Sequence, residues 1–127
     1  MIVVDTSVWV AVLRSATAPE AALLAQLIDA NTVVLPLPVR LELLAGAPAK
    51  DRGALRKRLL ALDVAWPTDD TWALVERWVE SAADRGQHFG VGDLLIAALA
   101  HERGALVWSL DGDFERLARL KLVQLYS

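Results

Sequence analysis

The chain has no cysteine, only two histidines, and no excess of basic charge. The missing thiols exclude disulfides, zinc–thiolate sites, iron–sulfur clusters and a cysteine nucleophile together. His88 and His101 are too few for a histidine-rich metal site and leave little for a histidine-based triad. Thirteen Lys and Arg stand against sixteen Asp and Glu, a formal net charge of −3. No whole-molecule basic field exists to hold nucleic acid, so any such binding must use a local patch. Long uncharged runs are absent as well. Asp5, Arg14, Glu20, Asp29, Arg40, Glu42 and Lys50 interrupt the first half, and Asp93 and Glu102 flank the most apolar later run. A membrane-spanning helix needs roughly 20 apolar residues, so no membrane association is expected. Met1-Ile2-Val3-Val4-Asp5 lacks the basic start and cleavage pattern of a signal peptide. With no cysteine, this points to a cytoplasmic protein.

What is present is apolar: 55% of the 127 residues are hydrophobic. That excludes disorder and is enough for a single domain over 1–127 with its own core. The opening Ile2-Val3-Val4 is β-branched throughout, as in a central parallel strand buried on both faces. Asp5-Thr6-Ser7 then starts a short helix to about Arg14. A second helix runs from Pro19 to about Asn31 with Leu23, Leu24, Leu27 and Ile28 on its apolar face. Thr32–Leu35 is a strand, stopped by Pro36 and Pro38. Helices follow from Pro38 to about Ala45 and over 50–62, then a short strand at Val64–Trp66. The spacing predicts an amphipathic helix over 69–85, with Trp72, Val75, Trp78, Val79 and Ala82 in one stripe. A glycine-broken loop leads to a helix from Asp93 to Arg103. A strand at 105–110, a helix after Asp111-Gly112-Asp113 and a last strand at Leu122–Tyr126 complete the chain. Alternating strands and helices imply an α/β sandwich of three layers with a mainly parallel sheet.

Ligands bind outside the carboxyl ends of such strands. Asp5 ends the first strand, Asp111 ends the strand at 105–110 with Asp113 just beyond, and Asp93 opens the helix feeding that strand. Glu42 interrupts the apolar run Leu41-Glu42-Leu43-Leu44-Ala45. Two carboxylates about 4 Å apart repel by about 4 kcal/mol at an effective dielectric of 20. No Lys, Arg or His adjoins Asp5, Asp93 or Asp111 in sequence. If these acids converge, a hard divalent cation, Mg²⁺ or Mn²⁺, is the natural counter-charge, and the reaction class is phosphodiester hydrolysis. Simpler roles compete. Asp5 and Asp93 suit helix caps, Asp111-Gly112-Asp113 suits a turn and cap, and Glu42 suits a solvated helix face. Asp69-Asp70 reads as a helix start, and His88 and His101 as loop and surface residues. The tryptophans read mostly as core, with Trp9 a candidate for a partner groove. Lys50, Arg52, Arg56, Lys57 and Arg58 form either a solvated face or a phosphate-tracking patch.

The four acidic segments, in order, resemble a known family. Ile2-Val3-Val4-Asp5-Thr6-Ser7-Val8-Trp9 resembles the opening of PIN-domain ribonucleases. Glu42-Leu43-Leu44-Ala45-Gly46, Asp93-Leu94-Leu95-Ile96-Ala97-Ala98 and Ser109-Leu110-Asp111-Gly112-Asp113-Phe114 resemble their second, third and fourth motifs. In the fourth, Thr is commoner than this Ser. The short chain is similar to the VapC toxins of toxin–antitoxin pairs. The resemblance implies a PIN-like fold and a Mg²⁺- or Mn²⁺-dependent endoribonuclease. Its catalytic acids would be Asp5, Glu42, Asp93 and Asp111, with the metal on Asp5, Asp93 and Asp111. Thr6 or Ser7 would position a metal water or phosphate, and Asp113 is a fifth acid that competes with Asp111 for the fourth place. The resemblance also implies a homodimer and a VapB-type antitoxin docked in an apolar groove. On the residues alone, Asp111 leaves the sheet's carboxyl edge and Asp113 is placed to cap the last helix. Arg56, Lys57 and Arg58 are the candidate RNA contacts.

A catalytically silent PIN-like binding module is the alternative, against which the presence of all four acids speaks. A haloacid-dehalogenase-like phosphatase would need an Asp where Ser7 stands. A receiver domain would need paired acids at the first strand and a lysine on a late strand, which are missing.

Overall fold

Ile2-Val3-Val4 forms β1 (Ile2–Val4), with a strand on either side of it. All three side chains are buried. Successive strand residues face opposite sides of the sheet, so both faces of β1 are covered. The computed structural model describes residues 1–126. Ser127, the last residue of the expected 1–127 unit, lies outside them.

The chain continues through α1 (Thr6–Arg14), α2 (Pro19–Asp29), β2 (Val33–Pro36), α3 (Leu37–Gly46) and α4 (Ala49–Leu60). It then forms β3 (Asp63–Ala65), α5 (Asp69–Asp84), α6 (Val91–Arg103), β4 (Leu106–Trp108) and α7 (Gly112–Arg119). The strands pair in the order β3-β2-β1-β4, all parallel. Ile2 lies beside Val33 on one side and Leu106 on the other, which aligns the carboxyl ends of β1, β2 and β4. This is the expected α/β architecture with a parallel sheet flanked by helices.

Local chemistry explains the element ends. Pro19 and Pro38 occupy first-turn positions of α2 and α3, where a missing N–H costs nothing. Thr68 and Thr71 cap α5 reciprocally. Gly104 ends α6 in the left-handed conformation, φ 62°, which glycine adopts without a Cβ clash. The core centres on α6, where Leu94 through Ala100 are all buried against β2, β4, α3, α5 and α7. Among the described residues no single helix is long and apolar enough to cross a membrane.

Several expectations change. The final strand over Leu122–Tyr126 reduces to a single parallel bridge, Val107 to Leu125. Two hydrogen bonds hold it, Val107 N–H to the Gln124 carbonyl and Tyr126 N–H to the Val107 carbonyl. The strand at 105–110 is only Leu106–Trp108, because Leu110 and Asp111 turn out of the ladder to meet serine hydroxyls. The apolar stripe of α5 is narrower than its spacing predicts. Thr71, Val75, Trp78 and Ala82 are buried, whereas Trp72 and Val79 are 47% and 45% exposed. Trp9 is buried in the core and does not line a groove; the next face of α1, Val10, Leu13 and Arg14, does.

Candidate active site

Three acids come from three different elements at the sheet's carboxyl edge. Asp5 follows β1 as the N-cap of α1, Asp111 follows β4 as the N-cap of α7, and Asp93 lies in the first turn of α6. Helix α6 starts at Val91, two residues before the expected Asp93, and Gly90 caps it without a side-chain bond. Asp93 is therefore not spent on capping.

Asp5 is 4% exposed, and its burial is compensated by hydroxyls. Ser7 Oγ and Ser109 Oγ each donate to Asp5 Oδ2 at 2.8 Å. Each serine also accepts a backbone N–H from the chain leaving β4: Leu110 N–H on Ser7 and Asp111 N–H on Ser109, both at 2.9 Å. Two hydroxyls thus tie the end of β1 to the segment that carries Asp111. Hydroxyl donors replace the hydration this buried carboxyl loses and fix its orientation.

Glu42 is exposed in the middle of α3, and Thr6 Oγ1 donates to its Oε2 at 2.6 Å. Its Oε1 lies beside Gly92 in the first turn of α6, 3.6 Å from where a Cβ would stand there. Glu42 therefore sits between the starts of α1 and α6.

The tightest acidic group is Asp93, Asp111 and Asp113, which each present an oxygen within 4.8 Å of the others. Sequence reasoning placed Asp5 with Asp93 and Asp111 and gave Asp113 the helix cap. The structure gives the cap to Asp111, whose Oδ1 accepts the Asp113 N–H at 3.0 Å. Capping uses the residue before the first turn, and α7 begins at Gly112. Asp113 is thereby free to join the group. Asp93 carries the electrostatic consequence: its pKa is pushed up to about 7. Burial is the largest cause, followed by the Asp111 charge, a hydrogen bond shared with Asp113, and the charges of Asp5 and Asp113. Asp5 therefore acts on Asp93 through space without belonging to the closest trio.

Among the described residues, one cation touches this group. Arg116 Nη1 pairs with Asp113 Oδ1 at 2.9 Å. A crowded set of carboxylate oxygens with so little counter-charge fits a hard divalent cation, which takes oxygen ligands.

Beside Glu42 opens a groove of about 620 Å³ between α1, α3 and α4. Val10, Leu13, Leu43, Ala47, Ala54 and Leu55 supply its apolar wall, with Arg14 and Arg58 also on its lining. Of the basic run, Arg52 is engaged, donating to the Leu44 and Ala47 carbonyls at 3.1 Å each. Arg56 and Lys57 are exposed on α4. His101 is exposed, as expected, and its ring meets Trp78 edge-on at 5.4 Å; His88 is exposed in the segment between α5 and α6.

Sequence reasoning did not single out Ser109 as a partner of Asp5, nor Arg116 or Gln87. Ser109 lies 104 positions from Asp5, beyond any local spacing rule. Its place two residues before Asp111 at a strand end was the available signal.

A parallel α/β sheet carrying an acidic cluster at its carboxyl edge defines a class of proteins whose site suits a hard cation. The chain belongs to the PIN domain family, whose model matches residues 2–120. It is 29% identical over 131 residues to ribonuclease VapC11 of Mycobacterium tuberculosis, covering 98% of this chain and 96% of that one. Among solved structures, its fold is similar to VapBC2 from Rickettsia felis bound to a promoter DNA fragment. There the TM-score is 0.82 at 19% identity, over 99% of this chain and 98% of that one. It is also similar to Mycobacterium tuberculosis VapC20, a sarcin–ricin loop cleaving toxin. That match has a TM-score of 0.71 at 20% identity, over 91% of this chain and 94% of that one.

Proposed function

We propose that this chain is a Mg²⁺- or Mn²⁺-dependent endoribonuclease and the toxin of a toxin–antitoxin pair. The observation that carries the proposal is the trio Asp93, Asp111 and Asp113, crowded on one edge of a PIN-domain sheet with a single cation against it. The ribonuclease name of its relative supports RNA as substrate. In this reading Asp93, Asp111 and Asp5 hold the metal, with Asp113 beside them, and Glu42 completes the catalytic acids. When bound, the cation supplies charge stabilisation at the phosphate and makes water a stronger nucleophile. The chain's own residues supply the order. Ser7 and Ser109 fix Asp5, Thr6 fixes Glu42, and the Asp113 N–H fixes Asp111. Rigidly held carboxylates lose no orientation energy as the reaction proceeds. Arg56, Lys57 and Arg58 would hold the RNA backbone.

Inhibition is assigned to the groove beside Glu42. A VapB-type antitoxin segment with an apolar face fits its Val10, Leu13 and Leu43 wall, and acids on that segment would meet Arg14 and Arg58. The VapBC complex among the structural neighbours supports such a partner. Exposed Leu60, Trp66 and Trp72 are suited to a homodimer contact. A toxin that cuts RNA acts in the cytoplasm, consistent with a chain that needs no disulfide.

Expression of the chain alone, with and without its small partner, tests the proposal. Growth arrest is expected from the intact chain and not from Asp93→Asn, and RNA cleavage by the purified protein should vanish in excess EDTA. Unaffected growth with soluble intact protein overturns the toxin reading. Full cleavage in EDTA overturns the metal.

A further inference from the structure

Arg116 engages more partners than the ion pair with Asp113. Its Nη2 and Nε both donate to Gln87 Oε1, at 2.7 and 3.2 Å. Nη2 also donates to the His88 carbonyl at 3.1 Å. The guanidinium lies over the Phe89 ring, 4.4 Å from its centroid. One side chain on α7 thus grips three consecutive residues of the segment between α5 and α6. That segment ends at Gly90, the N-cap of α6, and Asp93 follows three residues later.

The grip has a geometric consequence. Asp93 rides on α6, whereas Asp111 and Asp113 ride on the cap and first turn of α7. The distance between these acids depends on how the start of α6 sits against α7. Among the described residues, no other side chain hydrogen-bonds both to an acid of the trio and to the segment entering α6. A planar guanidinium suits this task because its donors leave in fixed directions. Lysine offers one flexible point charge. We infer that Arg116 is a positioning residue, which sets the spacing of Asp93 from Asp111 and Asp113 by clamping residues 87–89 while holding one oxygen of Asp113. The inference concerns the acids' geometry; its effect on a cation rests on the proposed metal-dependent reading.

Groups that orient metal ligands from outside typically change affinity 10- to 100-fold when removed. Arg116→Met should therefore weaken Mn²⁺ binding about tenfold or more, measured by calorimetry well below the melting midpoint. It should also speed amide exchange over 88–93 and leave exchange in α2 unchanged. Arg116→Lys should fall between Met and Arg. Gln87→Leu keeps the Asp113 pair but removes the shortest of the hydrogen bonds to the loop. It should show the same exchange change with a smaller loss of Mn²⁺ affinity, and it carries the test if Arg116→Met does not fold. A merely structural arginine would lower the melting midpoint without altering Mn²⁺ affinity of the folded protein. Unchanged affinity and unchanged exchange in these variants overturn the inference. If the intact chain binds no Mn²⁺, the metal reading fails, and the exchange comparison alone decides whether Arg116 is the clamp.

Discussion

Asp93→Asn removes a carboxyl whose ionisation the fold opposes. Its pKa rises from an ordinary 3.8 to about 7 in the folded chain. A raised carboxyl pKa means the folded form holds its proton more tightly than the unfolded form between about pH 4 and 7. Stability from this group is therefore lost as pH rises through that window, and the full penalty stands above pH 7. A shift of about three units corresponds to roughly 4 kcal/mol. Asp93 is only partly buried, so solvent screening reduces this to about 1–2 kcal/mol. Asn keeps the shape, carries no charge and donates to neighbouring oxygens. In EDTA at pH 8, Asp93→Asn should melt roughly 4–8 °C above the intact chain, taking about 4 °C per kcal/mol at this size. At pH 5 the gain should shrink to roughly half or less, because Asp93 is then largely protonated. Calorimetric melts at the two pH values check this. Saturating Mn²⁺ should reverse the order at pH 8 by stabilising the intact chain alone. An Asn variant less stable than the intact chain at pH 8, or an equal gain at both pH values, would refute the electrostatic account.

Three further outcomes follow from the geometry. Asp111→Asn should abolish RNA cleavage with little change in melting midpoint, since Asn caps α7 as Asp does; Asp113→Asn should leave more activity than Asp111→Asn, and parallel assays and melts compare them. Ser109→Ala strips a donor from buried Asp5 and an acceptor from the Asp111 N–H, so it should cost about 1–3 kcal/mol; Ser109→Thr should restore most of it in the same denaturation series. Neutralising Arg56, Lys57 and Arg58 should lower the salt dependence of RNA binding, by roughly 0.7 in slope for each single-strand phosphate that is no longer neutralised. An unchanged slope in filter binding would make the run a solvated face.

The parts of the fold legible in the sequence were those set by local rules. The β-branched run at 2–4 had to be buried on both faces, and the strand–helix alternation then placed Asp5 and Asp111 on one edge. Asp93 was legible as a helix-start acid, but the start itself lies two residues earlier, because Gly90 serves as cap with no side chain. What stayed hidden depends on packing between distant segments. The inward turn of Trp9, the exposure of Trp72 and Val79, and the short bridge at Leu125 reflect how much neighbouring surface each element meets. Asp113 was misjudged as a cap because α7 starts at Gly112, two residues earlier than a cap at Asp113 would require. The Arg116 clamp spans 28 or 29 positions and follows no periodicity.

The ends left on the cleaved RNA test the central claim most directly. With a single-stranded RNA, the purified chain and Mn²⁺, the account predicts 3′-hydroxyl and 5′-phosphate ends, produced by water attacking phosphorus, and no cleavage in EDTA or with Asp93→Asn. A 2′,3′-cyclic phosphate would mean attack by the RNA's own hydroxyl, a chemistry that does not need an acidic cluster. Such ends, formed equally well in EDTA, would contradict the account.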